Sequence, residues 1–187
     1  MEPVNRLPAH AFLLAGGQST RFGSDKARYL IWNQPLIVRL HGLLSRACQA
    51  VTVLTKQPSK YADLGLICAA DRYPEQAPIT GLLTALEMSS TEWCFVIACD
   101  LPNLSGEFLR ELWEGRGGLG VIPLAEDRRQ PLAALYHRDS LARFKGAYEQ
   151  EEFALQKIVS APGFTTMELS QPQVLANLNT PPDAGKG

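Results

Sequence analysis

The sequence predicts an α/β fold, a three-layer sandwich in which a mainly parallel sheet is covered by helices. Short runs rich in β-forming residues alternate with longer stretches whose apolar residues recur at helical spacing. The first run, residues 11–15, is apolar throughout, as a strand buried on both faces should be. We expect a single domain spanning residues 1–187, because this length suits one hydrophobic core and 45% of the residues are hydrophobic.

Periodicity divides the first half of the chain into alternating strands and helices. The stretch 36–47 carries leucines at helical spacing and predicts a helix, and the β-branched run 51–55 predicts the strand that follows it. Together with the first strand they complete one β-α-β unit. The remaining elements expected before residue 100 are strands at 66–70 and 93–99 and a helix at 81–88.

The second half continues the alternation. Ser105 is a helix-capping residue type, and it precedes an amphipathic stretch that runs through Trp113. The remaining elements expected here are strands at 119–123 and 132–136 and helices at 140–148 and 152–159.

Composition excludes several function classes. Lys and Arg number 18 and Asp and Glu number 19, so the net charge of −1 provides no general attraction to nucleic acid or to an anionic membrane. No apolar run approaches the roughly 20 residues of a membrane helix, and no secretory signal pattern opens the chain, so we expect a cytoplasmic protein. The 4 cysteines and 3 histidines lack metal-type or triad spacing, which favours free core thiols and histidines in surface or structural roles.

A glycine-rich loop follows the first predicted strand and indicates an anion site. It reads Leu14-Ala-Gly-Gly-Gln-Ser-Thr-Arg-Phe-Gly-Ser-Asp-Lys26. Gly16 and Gly17 let backbone amides approach a phosphate closely, while Arg21 and Lys26 neutralise its charge. The loop matches neither the P-loop nor the dinucleotide-binding fingerprint, and the alternative interpretation is an ordinary polar connection.

Three other polar residues are candidates for a binding site. Two of them, Asp71 and Asp100, follow predicted strands, and ligands of open α/β sheets bind at the carboxyl ends of strands. Asp100 follows the strongly apolar strand 93–99 and could hold Mg²⁺, which needs few protein carboxylates; its alternative role is a helix or turn cap. Asn179 offers an oxygen to a metal or phosphate, with a turn before proline as the alternative. Asp71 could accept from N1–H and N2–H₂ of guanine, or be a surface residue.

These residues together resemble a known family, the molybdenum cofactor guanylyltransferases, or molybdopterin-guanine dinucleotide biosynthesis protein A family. The glycine-rich loop is similar to that family's nucleotide-binding signature. Further motifs follow in the family's order over nearly the whole chain: Asp71, Ala77-Pro-Ile-Thr-Gly81, Cys99-Asp-Leu-Pro102, Gln130-Pro-Leu-Ala-Ala-Leu-Tyr136 and Asn177-Leu-Asn-Thr-Pro181. The chain departs from the family pattern at Ala77, where glycine is frequent, and at Val53-Leu-Thr55, where relatives place an asparagine.

The resemblance implies a Rossmann-like nucleotidyltransferase fold that binds GTP. Asp100 would hold Mg²⁺, with Mn²⁺ as the alternative ion, and Asp71 would read part of the guanine. Gly16 stands where related cytidylyltransferases carry alanine, which favours GTP over CTP. The expected nucleotide- and metal-binding residues are Leu14, Ala15, Gly16, Gly17, Ser19, Lys26, Asp71, Asp100 and Asn179, and the expected catalytic residues are Arg21, Lys26 and Asp100.

The predicted reaction is the transfer of GMP from GTP to molybdopterin, or to Mo-molybdopterin, with release of pyrophosphate. A phosphate monoester is largely ionised near pH 7, so this reaction needs alignment and charge neutralisation more than a base. The alternatives are CTP-dependent cytidylyl transfer, another nucleotidyl transfer, and a nucleotide-binding module without catalysis. Expected partners are the two substrates and molybdoenzyme-maturation proteins, without nucleic acid or membrane, and the chain is expected to be a monomer.

Overall fold

The computed structural model describes residues 6–16 and 25–178, which form a central sheet with helices on both faces. The strands are β1 (Leu7–Leu14), β2 (Leu30–Ile31), β3 (Gln34–Pro35), β4 (Cys48–Thr55), β5 (Cys68–Ala70), β6 (Trp93–Ala98), β7 (Gly120–Ala125), β8 (Arg128–Arg129), β9 (Ala133–His137) and β10 (Phe164–Glu168). The α-helices are α1 (Leu36–Ala47), α2 (Pro78–Met88), α3 (Gly106–Glu114), α4 (Leu141–Glu149) and α5 (Leu155–Ser160). Short 3₁₀ helices cover Lys26–Arg28, Pro58–Leu64, Arg138–Ser140 and Pro172–Leu175.

The strand order of the sheet creates a crevice beside β1. The order is β10-β7-β9-β6-β1-β4-β5, with β8 paired to β7 and with β2 and β3 forming a separate hairpin. Strands β5, β4, β1 and β6 are parallel, and β9 is antiparallel to its neighbours β6 and β7, so the predicted mainly parallel sheet is confirmed. The chain places β4 on one side of β1 and β6 on the other. Such a switch in winding direction opens a crevice at the carboxyl ends of the strands.

Two apolar cores confirm the three-layer arrangement. In β1, Leu13 belongs to the core that contains Leu40 of α1 and Leu109 of α3. The neighbouring Phe12 belongs to the opposite core, with Leu83 of α2 and Phe144 of α4. Because successive side chains of a strand point to opposite faces, the apolar run of β1 supplies both cores at once.

The observed elements differ from the predicted ones mainly at their ends. Helix α1 has the predicted bounds, whereas α2 begins at Pro78 rather than at residue 81, since proline suits the first turn of a helix. Strand β10 and the hairpin of β2 and β3 were not predicted from the sequence.

The expected core position holds for two of the cysteines, whereas Cys68 and Cys99 are only half-buried. All 4 cysteines are free thiols, and Cys48 and Cys94 are buried. The His10 ring is buried and lies 2.9 Å from the Thr52 hydroxyl through Nε2, a structural contact. Within residues 6–16 and 25–178, no helix is both long and apolar enough to cross a membrane.

Candidate active site

A cleft of about 510 Å³ opens at the carboxyl ends of β1, β4, β5 and β6. Strand register aligns its rim, because Leu14 of β1 pairs with Leu54 of β4 and with Ala98 of β6. The hydrogen bonding continues beyond the strand ends: the Ala15 amide donates to the Leu54 carbonyl at 2.8 Å. The Cys99 amide likewise donates to the Leu14 carbonyl at 3.1 Å. The residues that follow these strands are therefore fixed around one opening.

The cleft brings together residues from distant parts of the sequence. The predicted site residues that line it are Leu14, Ala15, Gly16, Lys26, Asp71 and Asp100. Four others lie outside the described residues: Gly17, Ser19, Arg21 and Asn179. The structure thus gathers the start and the end of the glycine-rich loop with the two carboxylates, while the role of each toward a ligand stays a prediction.

Gly16 borders the cleft with open space beside its Cα atom. A Cβ atom added to Gly16 would meet no described atom within 4 Å. At Gly81 the reason for glycine is different, because a Cβ atom would lie 3.2 Å from Leu14 Cδ1. Packing among the residues that the structure describes therefore explains Gly81 but not Gly16, and the space beside Gly16 agrees with its predicted closeness to a ligand.

Asp25 determines the position of Lys26. One carboxylate oxygen of Asp25 accepts a hydrogen bond from the Ala27 amide at 3.1 Å and caps the 3₁₀ turn that begins at Lys26. The other oxygen accepts from the Tyr61 hydroxyl at 3.0 Å and pairs with Lys60 Nζ at 3.0 Å. Asp25 therefore anchors the end of the glycine-rich loop, and Lys26 contributes its charge to the cleft.

Asp100 is a desolvated carboxylate at the end of β6. Burial raises the pKa of its carboxyl above the usual range, and the attraction of Lys26 opposes this rise only in part. Among the residues that the structure describes, no cluster of three or more His, Cys, Asp and Glu is placed to hold a metal. A single carboxylate still fits a cation such as Mg²⁺, which takes its other ligands from phosphates and water.

Asp71 follows β5 and accepts hydrogen bonds at both carboxylate oxygens. Oδ2 accepts from the Thr80 hydroxyl at 2.7 Å and pairs with Lys56 Nζ at 2.8 Å. Oδ1 accepts from the Thr84 hydroxyl at 2.9 Å and from the Tyr73 amide at 3.1 Å. Burial favours the neutral acid, but these hydrogen bonds outweigh burial and lower the pKa of Asp71, so the carboxylate is ionised at neutral pH.

Three of these partners were not predicted as site residues. Lys56 directly follows the predicted strand 51–55, and that position is the signal that points to it. Thr80 and Thr84 are buried and lie four residues apart in α2, so their hydroxyls share one face of the helix. Nothing local in the sequence indicates that this face meets Asp71.

A second cavity of about 410 Å³ adjoins the cleft. The two spaces share Pro78, Ala98, Asp100 and Leu132 as lining residues. The rest of the second cavity is lined by Leu101, Gln130, Pro131, Ala133, Phe153, Ala154, Leu155, Gln156 and Asn177. The buried Tyr136 stabilises this wall, because its hydroxyl donates to the Pro131 carbonyl at 2.6 Å. Asp100 therefore lines both cavities.

The fold and the cleft define the class of protein. A doubly wound α/β sheet with a cleft at its switch point, lined by a lysine and a buried carboxylate, is typical of proteins that bind nucleotides. The chain belongs to the family described as the MobA-like NTP transferase domain, whose model matches residues 11–163. This membership confirms the resemblance and the expected nucleotidyltransferase fold.

Individual relatives are similar to this chain in sequence over nearly its whole length. A protein of Deinococcus radiodurans is 34% identical over 95% of this chain and 92% of its own length, and one of Chloroflexus aggregans is 31% identical over 95% and 94%. Both are named probable molybdenum cofactor guanylyltransferase. The structure of molybdopterin-guanine dinucleotide biosynthesis protein A from Archaeoglobus fulgidus superposes with a TM-score of 0.78 at 20% identity, covering 94% of each chain, and it supports the fold alone.

Proposed function

We propose that the chain transfers GMP from GTP to the terminal phosphate of molybdopterin, or of Mo-molybdopterin, and releases pyrophosphate. The observation that carries this proposal is the pair of adjoining cavities, of about 510 and 410 Å³, that share Asp100. Two substrates bound in adjoining cavities can bring their phosphates together at the shared wall. The relatives at 31% and 34% identity are named for this activity.

The larger cleft is the proposed nucleotide site. A glycine amide, an ammonium group and a metal-binding carboxylate all suit a triphosphate, and the cleft offers them at Gly16, Lys26 and Asp100. We assign Gly17, Ser19, Arg21 and Asn179 to the same triphosphate from their places in the motifs. The second cavity, with Phe153 and Leu155 beside the amides of Gln130, Gln156 and Asn177, suits a flat heterocycle rich in hydrogen-bonding groups, such as a pterin.

Asp100 is the residue that would hold a divalent cation. We propose Mg²⁺, with Mn²⁺ as the alternative, because both ions favour carboxylate and phosphate oxygens. The ion, when bound, supplies positive charge to the reacting phosphates. A cation would also compensate the burial of the Asp100 carboxylate, which Lys26 compensates only in part.

The proposed transfer is direct. An oxygen of the acceptor's terminal phosphate forms a bond to the α-phosphorus of GTP, while the bond from that phosphorus to the oxygen that bridges it to the β-phosphorus breaks. Pyrophosphate leaves with the bonding electrons, and Lys26 and Arg21 neutralise the developing charge. Cys99 lines the cleft but does not attack, because burial raises the pKa of its thiol to about 12 and keeps it protonated.

The test measures pyrophosphate release from each of the four common ribonucleoside triphosphates, with Mg²⁺, in the presence and absence of molybdopterin. We expect acceptor-dependent release from GTP alone. Release from CTP would assign cytidylyl transfer instead, and nucleotide binding without release would favour a non-catalytic module. The proposal includes a cytoplasmic monomer that passes its product to molybdoenzyme-maturation proteins, and gel filtration of the assayed protein tests the monomer.

A further inference from the structure

Lys56 and Asp71 form a partly buried ion pair in the wall of the cleft. They directly follow β4 and β5, whose register pairs Thr55 with Ala70. Lys56 Nζ lies 2.8 Å from Asp71 Oδ2 and also contacts the carbonyl oxygen of Tyr73. The side chain of Lys56 is 22% exposed and that of Asp71 is 8% exposed, and both residues line the cleft. The register of two strands thus presents a donor beside an acceptor.

The donors around Asp71 differ in their freedom to move. A carboxylate offers about four lone-pair directions, and four donors use them here: Thr80, Thr84, the Tyr73 amide and Lys56. Thr80 and Thr84 are buried within α2, and the Tyr73 donor belongs to the backbone. Lys56 carries its ammonium on a flexible four-carbon chain, so it is the donor that a ligand can most easily draw away.

We propose that Lys56 selects the nucleobase together with Asp71, an inference that rests on the proposed function. When guanine binds, the Lys56 ammonium turns from Asp71 to O6 of the base. The place that it leaves on Asp71 Oδ2 accepts from N1–H, with N2–H₂ sharing the same oxygen in a three-centre hydrogen bond. Adenine has an amino group in place of O6 and an unprotonated N1 in place of N1–H. With adenine, the Lys56 ammonium would face another donor and the Asp71 carboxylate would face another acceptor. The pair therefore rejects adenine.

Loss of Lys56 should change which bases bind rather than whether the site forms. Thr80, Thr84 and the Tyr73 amide still hold Asp71 when Lys56 is removed. If a purine cannot accept a hydrogen bond at position 6, Lys56 stays paired with Asp71. The Asp71 oxygen is then not free to accept a hydrogen bond from the base. A merely structural Lys56 would affect all purine nucleotides equally, and this difference makes the inference testable.

The experiment titrates wild type and Lys56→Met with three nucleotides in the presence of Mg²⁺. These are GTP, inosine triphosphate, which lacks the 2-amino group, and the 2,6-diaminopurine nucleoside triphosphate, which has an amino group in place of O6 and an unprotonated N1. Wild type is expected to bind GTP more than about 100-fold more tightly than the diaminopurine nucleotide, because the Lys56 and the Asp71 contacts are both lost with that base. In Lys56→Met this ratio should fall about 10- to 100-fold, the share of the Lys56 contact with O6, but stay above one because Asp71 still opposes the unprotonated N1. The preference for GTP over inosine triphosphate, which depends on Asp71, is retained.

Two further variants make the comparison specific. Lys145→Met is the matched control, because Lys145 forms an ion pair of similar length, 2.9 Å, with Glu87 and belongs to α4. Lys145→Met should keep the wild-type ratios. Lys56→Gln, whose amide can donate to O6 or accept from a 6-amino group, should lower the preference for GTP over the diaminopurine nucleotide as Lys56→Met does. Thermal unfolding verifies that each variant is folded.

The outcomes separate this inference from the proposed function. A wild type that prefers GTP, beside folded Lys56 variants with the same ratio, would overturn the role of Lys56 and leave the proposed function standing. A wild type that binds GTP and the diaminopurine nucleotide equally would also overturn that role alone. A wild type that binds none of the three nucleotides would overturn the proposed function and this inference with it.

Discussion

The amide of Leu178 donates a hydrogen bond to the carbonyl oxygen of Asp100 at 2.8 Å. Leu178 is fully buried, so packing as well as hydrogen bonding fixes this residue beside the end of β6. The motif around Asp100 and the motif that contains Asn177 and Asn179 therefore meet, although they are far apart in the chain. This junction is consistent with both motifs serving one phosphate and metal site.

Asp100→Asn is expected to abolish GMP transfer and to raise the melting temperature of the ligand-free protein at pH 7. Burial raises the pKa of the Asp100 carboxyl, so keeping it ionised at pH 7 costs folding free energy, and a neutral amide removes that cost. The gain in stability should shrink as the pH falls through the raised pKa, because Asp100 itself then becomes neutral. Pyrophosphate assays and melting curves at pH 7 and pH 4 check both parts.

The matched control for this variant is Asp139→Asn, whose side chain is 73% exposed and should change neither activity nor stability. A lower melting temperature for Asp100→Asn than for wild type at pH 7 would contradict the claim that the buried Asp100 carboxylate costs folding free energy. Transfer at the wild-type rate would contradict the assignment of Asp100 to the metal.

Gly16→Ala should leave the fold intact and weaken GTP binding about tenfold or more. The added methyl group meets no described atom of the protein within 4 Å, and the expected loss comes from the ligand proposed to approach Gly16 in the cleft. Gly146→Ala in α4 is the control, because its Cβ atom also meets nothing within 4 Å. Equal GTP affinity in the two variants, measured by titration, would show that no phosphate approaches Gly16.

Asp71→Asn should lower the free energy of unfolding by about 1–3 kcal/mol at pH 7, since it weakens a partly buried ion pair and its hydrogen bonds. The pKa of Asp71 is lowered in the folded protein, so its stabilisation is present above the unfolded pKa of about 4 and is lost as the pH falls through the folded pKa. Urea unfolding at pH 7 and near pH 3 measures this. If the difference in the free energy of unfolding between wild type and Asp71→Asn is the same at both pH values, the ion pair is not its cause.

Lys26→Ala should reduce kcat by about 10²- to 10³-fold, the usual effect of removing one group that stabilises transition-state charge. Asp25→Ala keeps Lys26 but removes the cap and anchor of its 3₁₀ turn, so a smaller loss of about tenfold is expected. Lys157→Ala, which changes an exposed ion pair with Glu152, is the control. An Asp25→Ala protein with wild-type kinetics would show that Asp25 does not position Lys26.

The sequence predicts well those elements that one buried face determines. Helix α1 has the predicted bounds because Leu36, Leu40 and Leu44 are all buried on one side of it. Strand β10 has no such signal, since it lies at the edge of the sheet with its threonines exposed. The hairpin of β2 and β3 turns at Trp32 and Asn33 with φ angles of 46° and 62°, a conformation that sequence patterns usually signal by glycine.

Some residues of the candidate site are likewise predictable from the sequence and others are not. Asp71 and Asp100 are predictable because each carboxylate directly follows an apolar strand, and parallel strand ends meet at one edge. The contact of Lys56 with Asp71 is not predictable locally, because it depends on the lateral pairing of β4 with β5. Neither segment's own sequence shows which strand it will pair with in the folded chain.

The most direct measurement follows the fate of labelled GTP in the presence of molybdopterin, Mg²⁺ and the protein. With the label on the α-phosphate, we expect it to appear in a guanine dinucleotide of molybdopterin, identified by mass spectrometry. With the label on the γ-phosphate, we expect it only in pyrophosphate. Transfer of the γ-label to the acceptor, or acceptor left unmodified while GTP is consumed, would contradict guanylyl transfer at the Asp100 site.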